Sequence, residues 1–135
     1  MRARLILYWA VTFVIALETL VGGVMDLTDG RTAVVSGPPV ASVLASLGYP
    51  HYLLWILGAW KIPGAMTLVV PGFLRLKEWA YAGIVFELSG AVASHAACRQ
   101  NSDLIAPLFL LGLSLASWVL RPAGRVLCSR RGRDV

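Results

Sequence analysis

The sequence has little charge for its length. Of its 135 residues only 14% are Asp, Glu, Lys or Arg, while 58% are hydrophobic, and the mean hydropathy is +0.73. Soluble domains carry charge on roughly a quarter of their residues. The composition therefore excludes an ordinary soluble domain and indicates an integral membrane protein. The sequence also lacks linkers, repeats and low-complexity tracts, so we expect one transmembrane domain over residues 1–135.

Cysteines and cofactor motifs are scarce as well. Cys98 and Cys128 are the two cysteines, and no Cys-x-x-Cys pair occurs. This pattern excludes a thioredoxin-type dithiol and a metal site built from thiolates. The sequence contains no motif for haem, flavin or an iron–sulfur cluster. We therefore predict no metal and no cofactor bound by this chain itself.

Apolar runs separated by polar segments dominate the chain. A bilayer core is crossed by roughly 20 apolar helical residues, and four runs approach this length. The sequence predicts an all-α membrane protein, a bundle of four transmembrane helices. The predicted spans cover about 5–25, 52–70, 78–97 and 104–120, and a basic cytoplasmic tail covers 121–135.

A short extra helix is predicted in the first outer loop, between Pro39 and Gly48. Val40, Val43, Leu44 and Leu47 follow helical spacing, so that one face is apolar. A proline favours the first turn of a helix and a glycine favours its end. The segment is too short to cross a bilayer, and we expect it to lie over the outer mouth of the bundle.

The basic residues predict the orientation of the spans. Cytoplasmic loops are enriched in Lys and Arg, which predicts that both termini are cytoplasmic, in a bacterial inner membrane. Because the basic residues gather at span ends, the net charge of +5 indicates topology and not nucleic-acid binding. Cys98 and Cys128 are then on opposite sides and cannot form an intramolecular disulfide. One side holds Arg2, Arg4, Arg75, Lys77, Arg121, Arg125, Arg130, Arg131 and Arg133; the other holds Arg31 and Arg99.

Three charged residues interrupt the predicted spans: Glu18, Lys61 and Glu87. A charge inside a bilayer needs a partner or a water-filled cavity. At about 1.5 Å per helical residue, Lys61 and Glu87 both lie ~15 Å below the outer helix ends, and Glu18 lies ~10 Å deep. We expect Lys61 to contact Glu87, with Glu18 completing an acid–base–acid set in a cavity that opens outward.

Two interpretations of this set stay open. A buried ion pair can simply fix the register of two helices. Alternatively, two acids around one lysine share a proton, which suits acid–base chemistry. In the second interpretation Glu18, Lys61 and Glu87 are catalytic. The substrate-binding candidates are Ser94, His95, His51 and Trp60.

Several short motifs together resemble the DoxX-like family of small four-helix membrane proteins, over nearly the whole chain. The motifs are Leu47–Pro50, Ile56–Lys61, Leu76–Gly83, Gly90–His95 and Ser117–Pro122. The resemblance implies a four-helix bundle and brings forward Lys61, Lys77, Glu78, Ser94 and His95 as positions typical of the family. The wider superfamily includes a subunit associated with thiosulfate:quinone oxidation, membrane partners of redox enzymes, and animal receptor-assembly chaperones.

Three classes of function remain compatible with the sequence. The first is a membrane enzyme without a cofactor that moves protons on a lipophilic small molecule, for instance in isomerisation, cyclisation or epoxide opening. The second is a quinone-linked redox subunit, whose redox centre must belong to a partner. The third is an assembly or partner subunit without catalysis, which binds a membrane protein or a second copy of itself through small-residue helix faces.

Overall fold

The computed structural model describes residues 2–28 and 39–126, which form helices and contain no strand. This confirms the predicted all-α class. The α-helices are α1 (Arg2–Leu27), α2 (Val40–Ser46), α3 (Tyr52–Val69), α4 (Leu74–Ala97) and α5 (Ile105–Leu120), and a short 3₁₀ helix follows at Ala123–Arg125.

The four longer helices pack in a ring. Helix α1 lies between α3 and α5, and α4 contacts both of these from the other side. Ile15, Leu68 and Ile84 form part of the buried apolar core. Beside this core, the hydroxyl of Ser117 is 2.7 Å from the hydroxyls of both Thr12 and Tyr81. The ring is thus held by apolar packing together with a small network of hydroxyl groups.

Membrane-like character is clearest in two helices. Among the described residues, α1 and α3 are long and apolar enough to cross a membrane, and α5 is a shorter apolar helix of 16 residues. Large apolar side chains also cover the outside of the ring. Phe13 in α1, Trp60 in α3 and Phe109 in α5 are all more than half exposed. Such a surface suits contact with lipid more than contact with water.

The short helix α2 is formed as predicted. Pro39 precedes its first residue, and the helix ends two residues before Gly48. Gly48 has a φ of 81°, a left-handed conformation that glycine adopts without the steric cost of a Cβ. This turn leads the chain through Tyr49 and Pro50 into α3.

Helices α1 and α3 come very close where two glycines meet. A Cβ added to Gly58 in α3 would lie 2.8 Å from the carbonyl oxygen of Gly23 in α1 and 2.7 Å from Cγ of Leu27. A Cβ added to Gly23 would lie 2.8 Å from Cβ of Lys61. Only residues without a side chain allow this approach. The crossing fixes the position of Lys61 relative to the end of α1.

The carboxyl end of α3 is capped by two cations from elsewhere in the chain. Lys77, which is fully buried, donates hydrogen bonds to the carbonyls of Thr67 and Val70. Arg125 donates to the carbonyl of Leu68 at 2.9 Å and to that of Val69 at 3.0 Å. The last carbonyls of a helix lack partners inside the helix and carry partial negative charge. Lys77 and Arg125 supply these carbonyls with hydrogen bonds and with compensating positive charge.

A further ion pair ties α4 to the end of α5 at the same end of the ring. Arg121 makes two hydrogen bonds to the Glu78 carboxylate, at 2.7 and 3.1 Å. The indole of Trp118 donates to the same carboxylate at 3.0 Å. Two parallel hydrogen bonds from one guanidinium group to one carboxylate fix the relative orientation of Arg121 and Glu78. Lys77 and Glu78 therefore both have structural contacts at the end of the ring remote from Lys61.

Candidate functional site

A cavity of about 310 Å³ lies between α1, α3 and α4, beneath α2. Apolar side chains form most of its wall, and a group of polar side chains lies on one part of it. Such a combination is typical of small-molecule sites, in which a few polar groups orient a largely apolar ligand. The apolar lining consists of Val40, Leu44, Leu47, Leu53, Leu57, Phe86 and Ala91 with Gly90; the polar lining consists of Asp26, Tyr49, Lys61, Glu87 and Ser94.

Lys61 lies between two carboxylates in the wall of this cavity. Its Nζ atom is 2.8 Å from Oε1 of Glu87 and 2.8 Å from Oδ2 of Asp26. The predicted contact between Lys61 and Glu87 is therefore confirmed. The lysine is 17% exposed and Glu87 is 27% exposed, so the cluster is partly open, while Asp26 is 1% exposed.

Asp26 is the acid that sequence reasoning missed. It lies at the polar end of the first apolar run and looked like the start of a loop, but α1 continues through Leu27 and carries Asp26 into the cavity wall. Glu18, Gly22 and Asp26 are spaced by four residues and so share one helix face. That spacing was the available signal.

One oxygen of Asp26 lacks a hydrogen bond. Oδ2 binds Lys61, whereas Oδ1 is buried and has no partner within residues 2–28 and 39–126. Buried polar atoms are almost always hydrogen-bonded, so the unpaired Oδ1 of Asp26 requires an explanation.

Glu18 lies near this cluster without joining it. Its Oε1 atom and Nζ of Lys61 are 3.9 and 3.6 Å, respectively, from the same point, the Cβ position of Gly22. However, Glu18 makes no ion pair within 4.0 Å among the described residues, and it does not line the cavity. Its negative charge is nevertheless close enough to act on the lysine through space.

Ser94, one of the four substrate-binding candidates, does line the cavity. It donates a hydrogen bond to the carbonyl of Gly90 at 2.8 Å, and its oxygen is 2.7 Å from the hydroxyl of Tyr49. Since a serine hydroxyl has one hydrogen, Tyr49 must donate to Ser94. This contact joins α4 to the segment after α2, and Tyr49 is a second lining residue that sequence reasoning did not single out.

The other three candidates lie away from the cavity. His95 is buried, and its Nδ1 atom is 2.9 Å from Oε1 of Gln100. His51 is exposed and its ring meets the edge of Trp55, with 5.9 Å between ring centres. Trp60 is 76% exposed on the outside of α3. None of the three lines the space next to Lys61.

Comparison with known protein families matches the chain to the DoxX-like family over residues 10–117. The protein is a member of the DoxX-like family. The matched region includes most of α1, all of α2, α3 and α4, and most of α5. Among curated proteins and among solved structures, nothing matches.

In this DoxX-like protein the charged groups of the cavity are two acids, Asp26 and Glu87, and one base, Lys61. Two carboxylates and one ammonium group meet at hydrogen-bond distance, so the cluster has more negative than positive charge when all its members are ionised. In such clusters the protonation of each group depends on that of its neighbours. In the described part of the chain, no group of three or more His, Cys, Asp or Glu side chains is arranged to hold a metal ion.

Proposed function

We propose that this DoxX-like protein spans a bacterial inner membrane four times, with both termini cytoplasmic, and binds a small lipophilic molecule in the cavity beside Lys61. The family membership and the apolar helices α1 and α3 support a membrane location. The exposed faces of the other two helices support two further spans, because Trp79 and Phe86 in α4 and Ile105 in α5 are each more than two-thirds exposed.

The observation that carries the proposed function is the position of Lys61 Nζ, which is 2.8 Å from both Asp26 and Glu87 in the wall of a mostly apolar cavity. A structural ion pair needs only one acid for one lysine. Here the second acid adds a negative charge at a buried place, which is costly unless a proton is shared. A shared proton next to a bound molecule is what general acid–base catalysis uses.

The proposed reaction is proton transfer without a cofactor. Glu87 is the more exposed of the two acids and acts as the group that exchanges a proton with the substrate. Lys61 stabilises the negative charge that develops on the substrate, Asp26 holds the lysine in position, and Glu18 acts on the lysine through space. In an isomerisation, one proton leaves the substrate for a carboxylate and one returns at a different position. The reaction thus needs neither oxidant nor reductant.

Two glycines of α4 provide a matched test of binding. Gly90 lines the cavity, whereas Gly83 does not, and a Cβ added at either position meets nothing within 4 Å. Gly90→Leu should therefore fill the cavity without straining the helix, while Gly83→Leu makes the same chemical change outside the cavity. We expect purified wild-type protein and Gly83→Leu to retain a small lipophilic molecule detectable by native mass spectrometry, and Gly90→Leu to lose it. Equal retention in both variants would refute binding in this cavity.

Glu87→Gln tests the chemical step. The amide keeps the shape of the side chain but cannot exchange the proton, so turnover of the molecule identified in this way should fall by about 10²-fold or more while the fold is kept. Circular dichroism and the retained molecule report on folding and binding. Full turnover by a folded Glu87→Gln variant would refute the catalytic role of Glu87. The proposal that the cavity binds a lipophilic molecule would still stand.

A further inference from the structure

We infer that the molecule bound in the cavity is a neutral alcohol or phenol, whose hydroxyl group contacts both Asp26 and Lys61. This inference rests on the proposed function and adds to it the chemical class of the ligand. Its starting point is Oδ1 of Asp26, a buried acceptor that belongs to a cavity-lining residue and has no hydrogen-bond partner in residues 2–28 and 39–126. An acceptor of this kind calls for a ligand that donates a hydrogen bond.

Lys61 supplies the complementary group. An ammonium group has three hydrogens, and two of them are directed to Asp26 and Glu87. The third has no partner in the described part of the chain. Because Oδ1 belongs to the same carboxylate that binds Nζ through Oδ2, the free acceptor and the free donor are close neighbours. A hydroxyl group can donate to the first and accept from the second at once.

Other polar groups fit this pair less well. An ether or ester oxygen accepts from Lys61 but leaves Oδ1 of Asp26 unpaired. An ammonium group donates to Oδ1 but has no acceptor for the third hydrogen of Nζ, which therefore stays unpaired. A carboxylate adds a negative charge beside Asp26 and Glu87, with Glu18 close by. Sites built to hydrogen-bond a hydroxyl discriminate strongly against analogues that lack it.

The cavity also limits the size of the ligand. Its volume of about 310 Å³, divided by the roughly 30 Å³ that a water-sized group occupies in a liquid, accommodates about ten non-hydrogen atoms. The apolar wall favours a hydrocarbon body. We therefore expect a lipophilic alcohol of which about ten non-hydrogen atoms lie inside the cavity.

Four probes of nearly equal size separate these possibilities: 1-nonanol, methyl octyl ether, nonylamine and octanoate. Their binding is measured by titration calorimetry with full-length protein in nanodiscs. The Gly90→Leu protein in the same nanodiscs supplies the background from partition into lipid. We expect 1-nonanol to bind at least tenfold more tightly than each of the other three. The Gly83→Leu protein should give the same order of affinities as the wild type.

Asp26→Leu removes the acceptor and should reduce the preference for 1-nonanol over methyl octyl ether to less than threefold. If this variant does not fold, the ratio measured with the wild type still decides the matter. An ether bound as tightly as the alcohol, or an amine or carboxylate bound more tightly, would overturn the inference but leave the binding proposal standing. No binding of any probe above the Gly90→Leu background would instead overturn the proposed binding site itself.

Discussion

Replacement of Gly58 by alanine should loosen the crossing of α1 and α3 that brings Asp26 to Lys61. The added Cβ would lie 2.7 Å from Cγ of Leu27 and 2.8 Å from the carbonyl oxygen of Gly23. The leucine side chain can rotate away, but the backbone carbonyl belongs to a helix and can move only if α1 moves. Overpacking of this kind costs about 1–3 kcal/mol.

Gly64 on the same helix is the matched control. A Cβ added there meets nothing within 4 Å. Both replacements gain the same helix propensity, roughly 1 kcal/mol for alanine over glycine. The difference in unfolding free energy between Gly58→Ala and Gly64→Ala therefore isolates the cost of the crossing, and we expect about 1–3 kcal/mol in favour of Gly64→Ala.

Reversible unfolding in mixed detergent micelles, followed by far-ultraviolet circular dichroism, measures this difference. Gly58→Ala should also bind 1-nonanol more weakly than Gly64→Ala does, because a wider crossing separates Asp26 from Lys61. If Gly58→Ala proves as stable as Gly64→Ala and binds equally well, the close approach of the two helices is not what positions the charged cluster.

Two further predictions concern the charged cluster and the membrane orientation. Lys61→Met should lower the unfolding free energy by about 3–5 kcal/mol, because it leaves the carboxylates of Asp26 and Glu87 without a cation. The triple variant that adds Asp26→Leu and Glu87→Leu should recover most of that loss in the same unfolding assay. A triple variant no more stable than Lys61→Met would contradict this prediction. Cys98 is exposed at the end of α4. In a Cys128→Ser background it should react with an impermeant maleimide added outside intact spheroplasts. Labelling only after the cells are opened would reverse the proposed orientation.

The sequence was sufficient to predict features that depend on local pattern and on depth. The all-helical class, the short helix after Pro39 and the contact of Lys61 with Glu87 follow from hydropathy, from turn residues and from equal distances to the helix ends. These quantities are set by the number of residues along each helix and need no knowledge of how the helices cross.

Features that depend on tertiary packing could not be predicted in the same way. The spacing of Glu18 and Asp26 puts both acids on one face of α1, but Asp26 reaches Lys61 only because Gly23 and Gly58 let two backbones approach. Spacing along one helix does not reveal how closely it crosses another. Ser94 and His95 are neighbours in sequence, but successive residues on an α-helix point about 100° apart. Ser94 therefore faces the cavity while His95 is directed to Gln100.

The cap on α3 has a consequence for how the protein is made. Arg125, which binds the carbonyls of Leu68 and Val69, is 57 residues beyond Leu68 in the chain. During synthesis α3 is therefore complete as a segment long before its last turn receives both of its cations. Until α5 and Arg125 have been synthesised, Lys77 is the only one of the two cations that is available. Closure of the ring is thus coupled to synthesis of the segment that follows α5, and a nascent chain halted after α4 has the end of α3 capped by Lys77 alone.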